Sequence, residues 1–146
     1  MNTIDDITFK KLIHGEFAFL KEYGFRFAKI NLGKVTAKKG DIRVDFIREF
    51  GTLNMYVDIR LKGQLGKKAS DVAEYRTLGL GQFMRLMTKN ERREYHDKVK
   101  MDLRTTDDFI ERFQQLKPIL IRYCDSLFCH NDLTNWKKTV DFLRNL

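Results

Sequence analysis

Two stretches of this chain alternate apolar and polar residues so regularly that they admit only one local structure. Ile42, Val44 and Phe46 alternate with Arg43, Asp45 and, less cleanly, Ile47; Leu53, Met55, Val57, Ile59 and Leu61 alternate with Asn54, Tyr56, Asp58 and Arg60. Successive side chains of a strand point to opposite faces, so a period of two gives each strand one apolar and one polar side. That pattern predicts an antiparallel sheet with one covered and one wet face. Glu49-Phe50-Gly51-Thr52 between the two runs is short and contains glycine, as a hairpin connection requires. Upstream, Phe25 and Phe27, then Ile30 and Leu32, then Val35 to Lys38 before the turn Lys39-Gly40-Asp41, extend the strand vocabulary. Three to four strands fit within residues 25–62, with room for a fifth.

Helical periodicity surrounds this block. Phe9, Leu12, Ile13, Phe17, Leu20 and Tyr23 recur at spacings of three and four, with Asp5, Asp6 and Thr8 at the start and Gly24 as a stop. Residues 63–70, GQLGKKAS, hold two glycines and two lysines without a period and predict a mobile loop. Between Ser70 and Met87, Val72, Tyr75 and Leu78 suit one or two short helices interrupted by Gly79 and Gly81. Thr88 and Glu91 match a capping box that starts a charged helix reaching about Lys100. Thr105 to Asp108 open another, whose stripe runs from Phe109 to Phe128 through Pro118, where a kink or brief break is expected. Asn131 or Asp132 caps a last helix with Leu133, Trp136, Val140, Leu143 and Leu146 on its apolar side. The order predicts an α+β fold with an N-terminal helix, an antiparallel sheet and C-terminal helices packed on one face. Residues 1–146 then form a single domain: 1–62 helix plus sheet, 63–70 loop, 71–146 helical.

Size and composition agree with that plan. The 146 residues are 42% hydrophobic, with twelve Phe supplying much of the apolar area, and one Pro and nine Gly leave little disordered linker. No apolar run approaches the roughly 18 residues of a membrane span, and the N-terminus lacks the apolar core of a secretory signal, so a cytoplasmic protein is expected. Cys124 and Cys129 fall on one predicted helix, about 140° apart around its axis, and are expected to be buried, reduced small hydrophobes.

Catalytic signatures are missing. His14, His96 and His130 lie in separate elements. Cys124-x4-Cys129-His130 lacks the second pair of a tetrahedral zinc site, and neither the phosphate-binding glycine loops nor a nucleophile elbow occurs. Glu91, Glu94, His96 and Asp97 have the spacing of a solvated helix face. Binding without metal or cofactor is therefore expected rather than catalysis.

The net charge of +8 narrows the partner. Residues 1–40 carry +4 and residues 62–104 carry +5, against −1 for 41–61 and zero for 105–146. An anionic partner surface is implied, and the candidate contact residues are Lys38, Lys39, Arg43, Arg60, Lys62, Lys67, Lys68, Arg92 and Arg93. Lys38-Lys39 and Lys67-Lys68 fall at predicted turns and could share one edge of the sheet.

Phe19-Leu20-x-x-Tyr23-Gly24-Phe25, the strands Ile42-x-Val44-x-Phe46 and Met55-Tyr56-Val57-x-Ile59, and Leu120-x-x-Tyr123-Cys124-x-x-Leu127 followed by Asp132 and Trp136 make a pattern. It resembles small bacterial proteins that include immunity proteins of contact-dependent inhibition and other polymorphic toxin systems. The resemblance implies an inhibitor that neutralises a cognate toxin. Many such immunity proteins are acidic, whereas this chain is basic, so its toxin would present an acidic surface. The alternative is a basic nucleic-acid-associated protein of phage or mobile-element origin that uses its lysines and arginines on phosphates.

Overall fold

The computed structural model describes residues 4–28, 33–49 and 55–146. The fold is α+β, as the alternation of helical and strand periods requires. Helix α1 (Asp6–Glu16) and a turn of 3-10 helix (Ala18–Lys21) precede strands β1 (Arg26–Phe27), β2 (Lys34–Lys39), β3 (Ile42–Arg48) and β4 (Met55–Leu61). There follow α2 (Gly63–Ala69), a 3-10 turn (Ala73–Arg76), β5 (Thr77–Gly79), α3 (Leu80–Phe83), a 3-10 turn (Met84–Leu86), α4 (Lys89–Lys98), α5 (Thr106–His130) and α6 (Thr134–Arg144). The five strands form an antiparallel sheet in sequential order, β1-β2-β3-β4-β5. Ile30, Leu32 and the hairpin stretch Phe50 to Asn54, with Leu53, lie outside the described residues.

Register builds the core. Val35, Phe46 and Val57 stand side by side, and Ala37, Val44, Ile59 and Leu78 form the next row; all are buried. The helices cover this face with phenylalanines. Phe17 lies 4.5 Å from Phe46 and 5.6 Å from Phe113 between ring centroids, Phe9 lies 6.0 Å from Phe109, and Phe25 lies 4.8 Å from Phe128. Offset and edge-on rings at these separations add to what their burial contributes.

Two cations close the ends of this layer. Lys39 Nζ donates to the Phe128 carbonyl in the last turn of α5, where carbonyls have no intrahelical partner and the helix dipole favours positive charge. Arg48 donates to the Ile4 carbonyl and to Asp6 at the start of α1, and its guanidinium lies 5.4 Å from the Phe9 ring.

Local signals at the helix starts hold. Asp5 caps α1 by accepting from Thr8 N at 2.7 Å, and Thr88 with Glu91 and Thr105 with Asp108 form reciprocal capping boxes. The first stripe divides, however, because α1 ends at Glu16 and a 3-10 turn over Ala18–Lys21 follows before Gly24, whose φ is +98°.

The stretch expected as a mobile loop, 63–70, is helix α2 through Ala69. Its glycines mark close approaches instead of breaks. Gly63 has φ +56° and leaves room for Asp41, whose carboxylate accepts from Leu65 N at 3.4 Å; a Cβ at 63 would stand 2.7 Å from Asp41 Oδ1. A Cβ at Gly66 would meet the Leu61 carbonyl at 2.8 Å. Leu65 and Ala69 are buried beneath the helix.

Leu78, expected in a short helix ending at Gly79, lies instead in the edge strand β5, whose residues 77–79 pair with Asp58, Ile59 and Arg60. The helix expected to break at Pro118 runs unbroken from Thr106 to His130. Pro118 is exposed, and the buried Phe113, Leu116, Ile119 and Leu120 anchor the helix on both sides of it, so one missing backbone donor does not end it. Asn131 closes α5 in the left-handed conformation at φ 53° instead of capping the last helix, which starts after Leu133 without a side-chain cap; Asp132 only accepts from Thr134 N at 3.0 Å. Leu146 is 75% exposed and Leu143 only half-buried, so the apolar side of α6 is narrower than its sequence. Cys124 is buried, which raises its thiol pKa, but Cys129 is exposed, because it turns to the solvent side of the same helix. Among the described residues no helix is long and apolar enough to cross a membrane.

Trp136 locks α6 in place. It is 1% exposed, its ring lies 5.6 Å from Phe83, and Nε1 donates to the Tyr75 carbonyl at 2.9 Å. Replacing Trp136 with Ala leaves a cavity and removes the partner of that carbonyl, so denaturant unfolding should show a loss of about 3 to 5 kcal/mol. Acid should loosen the helical half. Arg122 and the Thr88 amide hold the Glu91 carboxyl down at about 2, and the amides of Arg104 and Thr105 hold Asp108 down at about 2. Both groups stabilise the fold fully above the ordinary carboxylate pKa of about 4 and lose that contribution as pH falls toward 2. Thermal melts followed by circular dichroism should show the E91Q/D108N protein losing less melting temperature than wild type over that window.

Candidate binding face of the sheet

The register that buries the apolar residues also orders the opposite face. Arg26, Lys38, Arg43, Arg60 and Thr77 are successive cross-strand neighbours, one from each strand. Directly opposed residues on neighbouring strands have Cβ atoms only about 5 Å apart, so four cations share one transverse row. The next row is Thr36, Asp45, Asp58 and Gly79, and beyond it come Lys34, Ile47 and Tyr56.

This face is not uniformly wet, contrary to the simple alternation. Asp45 is 3% exposed and Thr36 is buried with it. Thr36 Oγ1 donates to Asp45 Oδ1 at 2.6 Å, and Arg43 Nε reaches both Asp45 oxygens at 3.0 and 3.1 Å. A buried carboxylate is tolerable when donors surround it in this way. Arg43 is thereby fixed in direction, while Arg60 Nε donates to Thr77 Oγ1 at 3.3 Å. Arg26 and Lys38 are exposed and, among the described residues, have no ion pair.

Asp58 differs from its neighbour. Burial raises its carboxyl pKa, the facing Asp45 raises it further, and Arg60 opposes both. Among the described residues no hydrogen-bond donor reaches its carboxylate. Gly79 stands beside it, where a Cβ would lie 3.4 Å from Asp58 Oδ1. Tyr56, 39% exposed, and the half-buried Ile47 supply apolar surface next to the charges.

Of the residues marked by charge in the sequence, the fold brings Lys38, Arg43 and Arg60 together. Lys39, adjacent to Lys38, faces the other way and is committed to the end of α5. Lys62 is exposed at the end of β4, and Lys67 and Lys68 are exposed in the last turn of α2. Lys38 and Lys39 thus turn to opposite sides of β2, and Lys67 and Lys68 stand on α2, whose start contacts the turn after Lys39. Arg92 is half-buried and Arg93 exposed on α4. Charge counting missed Arg26, Asp45, Asp58, Ile47 and Tyr56, although those on β3 and β4 were already assigned to the polar side of their strands. Arg26 required the pairing of a strand only two residues long. Among the described residues no group of three or more His, Cys, Asp or Glu is placed to hold a metal ion.

Comparison with known proteins gives no match to a family model, to a curated protein or to a solved structure.

The environment of Asp58 sets a pH-dependent outcome. A carboxyl whose folded pKa is raised stabilises the fold when protonated and loses that contribution as pH rises through the folded value. Asp58→Asn should therefore melt at a higher temperature than wild type at pH 7, with the gap closing below about pH 4. Equal melting temperatures at neutral pH would show that the carboxylate is relieved by another contact.

Proposed function

We propose that this chain is a non-enzymatic protein-binding inhibitor that engages an acidic partner through the outer face of its sheet. In its most specific form it is a bacterial immunity protein that neutralises a cognate toxin in the cytoplasm. One observation carries the reading: the transverse row Arg26, Lys38, Arg43 and Arg60 lies beside carboxylates and apolar side chains on the same face. Like charges directly opposed across strands disfavour folding, so such a row is better matched when a partner supplies the opposite charge.

The mixture favours a protein partner over nucleic acid. A surface that tracks phosphates gains by being uniformly positive, because each neutralised phosphate releases counterions. Here Asp58 adjoins the basic row and would repel a phosphate backbone, whereas Tyr56 and Ile47 provide the kind of anchor that protein interfaces use. The pair of free thiols accords with a reducing compartment. Inhibition needs neither metal nor cofactor, only coverage of the toxin's working surface.

The test is to look for a toxin domain encoded beside this gene and coexpress it with this chain, together with purified association kinetics. Wild type should protect cells, and R43E/R60E should lose protection and capture the toxin at least about tenfold more slowly at low salt, with the difference shrinking as salt rises. K67E/K68E, altered on α2 and outside the row, should behave as wild type. Steep, salt-sensitive binding of wild type to oligonucleotides, abolished in R43E/R60E, would replace the inhibitor by the nucleic-acid reading.

A further inference from the structure

We propose a second site, separate from the sheet face: the cleft where α4 meets α5 binds a small organic phosphate, with Arg112 as its buried anion contact. The cleft has a volume of about 390 Å³ and is walled on its polar side by Arg85, Arg92, Tyr95, His96 and Arg112.

Arg112 is the unusual member. It is only 8% exposed, Nη1 donates to the Tyr95 hydroxyl, and the guanidinium lies 5.9 Å from the Tyr95 ring. Its Nε is buried with no hydrogen-bond partner. Among the described residues it has no ion pair. A buried guanidinium cannot escape by deprotonation and is costly unless charge and hydrogen bonds are returned to it. A neutral phenol returns only part.

The acids that could serve it are engaged or turned away. Asp108, one turn earlier on α5, accepts from the amides of Arg104 and Thr105 and pairs with Lys100. Glu91 pairs with Arg122. Glu94 and Glu111 are exposed, and among the described residues no carboxylate lines the cleft. Among the described residues Arg92 and Arg112 have no ion pair, whereas the Arg85 guanidinium lies 5.6 Å from the Phe142 ring on α6; two such guanidinium groups suit a dianion, and a phosphate monoester offers the oxygens to satisfy several of their donors at once. Met84, Val99, Met101 and Leu116 form the remaining wall, which suits an organic group on that phosphate.

Phenyl phosphate is the probe, with inorganic phosphate and benzoate beside it, in calorimetric titrations of the intact chain. Phenyl phosphate should bind saturably with one site per chain and more tightly than either control. R112M should fold with unchanged or higher melting temperature, because an apolar chain of similar length replaces an uncompensated charge, and should lose binding. R92Q, at the half-buried wall, should weaken binding about tenfold and carries the test should R112M not fold. Absence of saturable binding at millimolar concentration, benzoate binding as tightly as phenyl phosphate, or full affinity retained in the folded variants would overturn the assignment. Binding retained in R43E/R60E would support it and keep it distinct from the sheet face.

Discussion

The pairing of β3 with β4 governs both the core and the candidate interface. Because side chains alternate strictly, a slip of one residue would exchange Val44 and Phe46 for Arg43 and Asp45 against the helices. The cost of burying those charges without partners fixes the register far more firmly than the ladder hydrogen bonds alone. The same register then places Arg43 opposite Arg60 on the other side. Stability and the order of the basic row are thus two consequences of one periodicity, and a substitution that weakened the pattern would disturb both.

The cations of this protein fall into classes that only packing separates. Lys39 and Arg48 close the ends of the apolar layer, where each finds an otherwise unpaired backbone carbonyl. Removing either would leave buried acceptors without donors, so their replacement tests the fold and not a binding role. Lys38, one residue from Lys39, reaches the opposite face and has no such duty. Adjacent lysines in a strand therefore do different work, which is why a basic pair counted in sequence overstates the charge available to a partner.

Strong local periods were legible from the residues: β3 and β4, the capping boxes at Thr88 and Thr105, and the burial of Trp136 all follow from spacing and side-chain chemistry. The misses share a cause. Gly63 and Gly66 looked like breakers, but their missing Cβ atoms admit the Asp41 carboxylate and the Leu61 carbonyl, contacts set by tertiary approach. Thr77–Gly79 is too short to show a period, and becomes a strand because β4 offers an edge. Arg26 joins the basic row by pairing with Lys38, and Arg112 is one charge within the stretch read as the α5 helix. A residue's missing partner is visible only when its surroundings are assembled.

The two cationic sites should respond to their surroundings in opposite ways. On the sheet face most of the charge is exposed, so its pull on a partner extends into solvent, is screened by salt and acts mainly before contact. In the α4–α5 cleft, Arg112 is already stripped of water in the folded chain, so much of the desolvation cost of binding has been met during folding. An anion entering there gains from a lower local dielectric and depends less on screening once seated. The sheet face can thus set how fast a partner is found, while the cleft can set how long a small ligand is held, and the sign of the charge alone would not have told them apart.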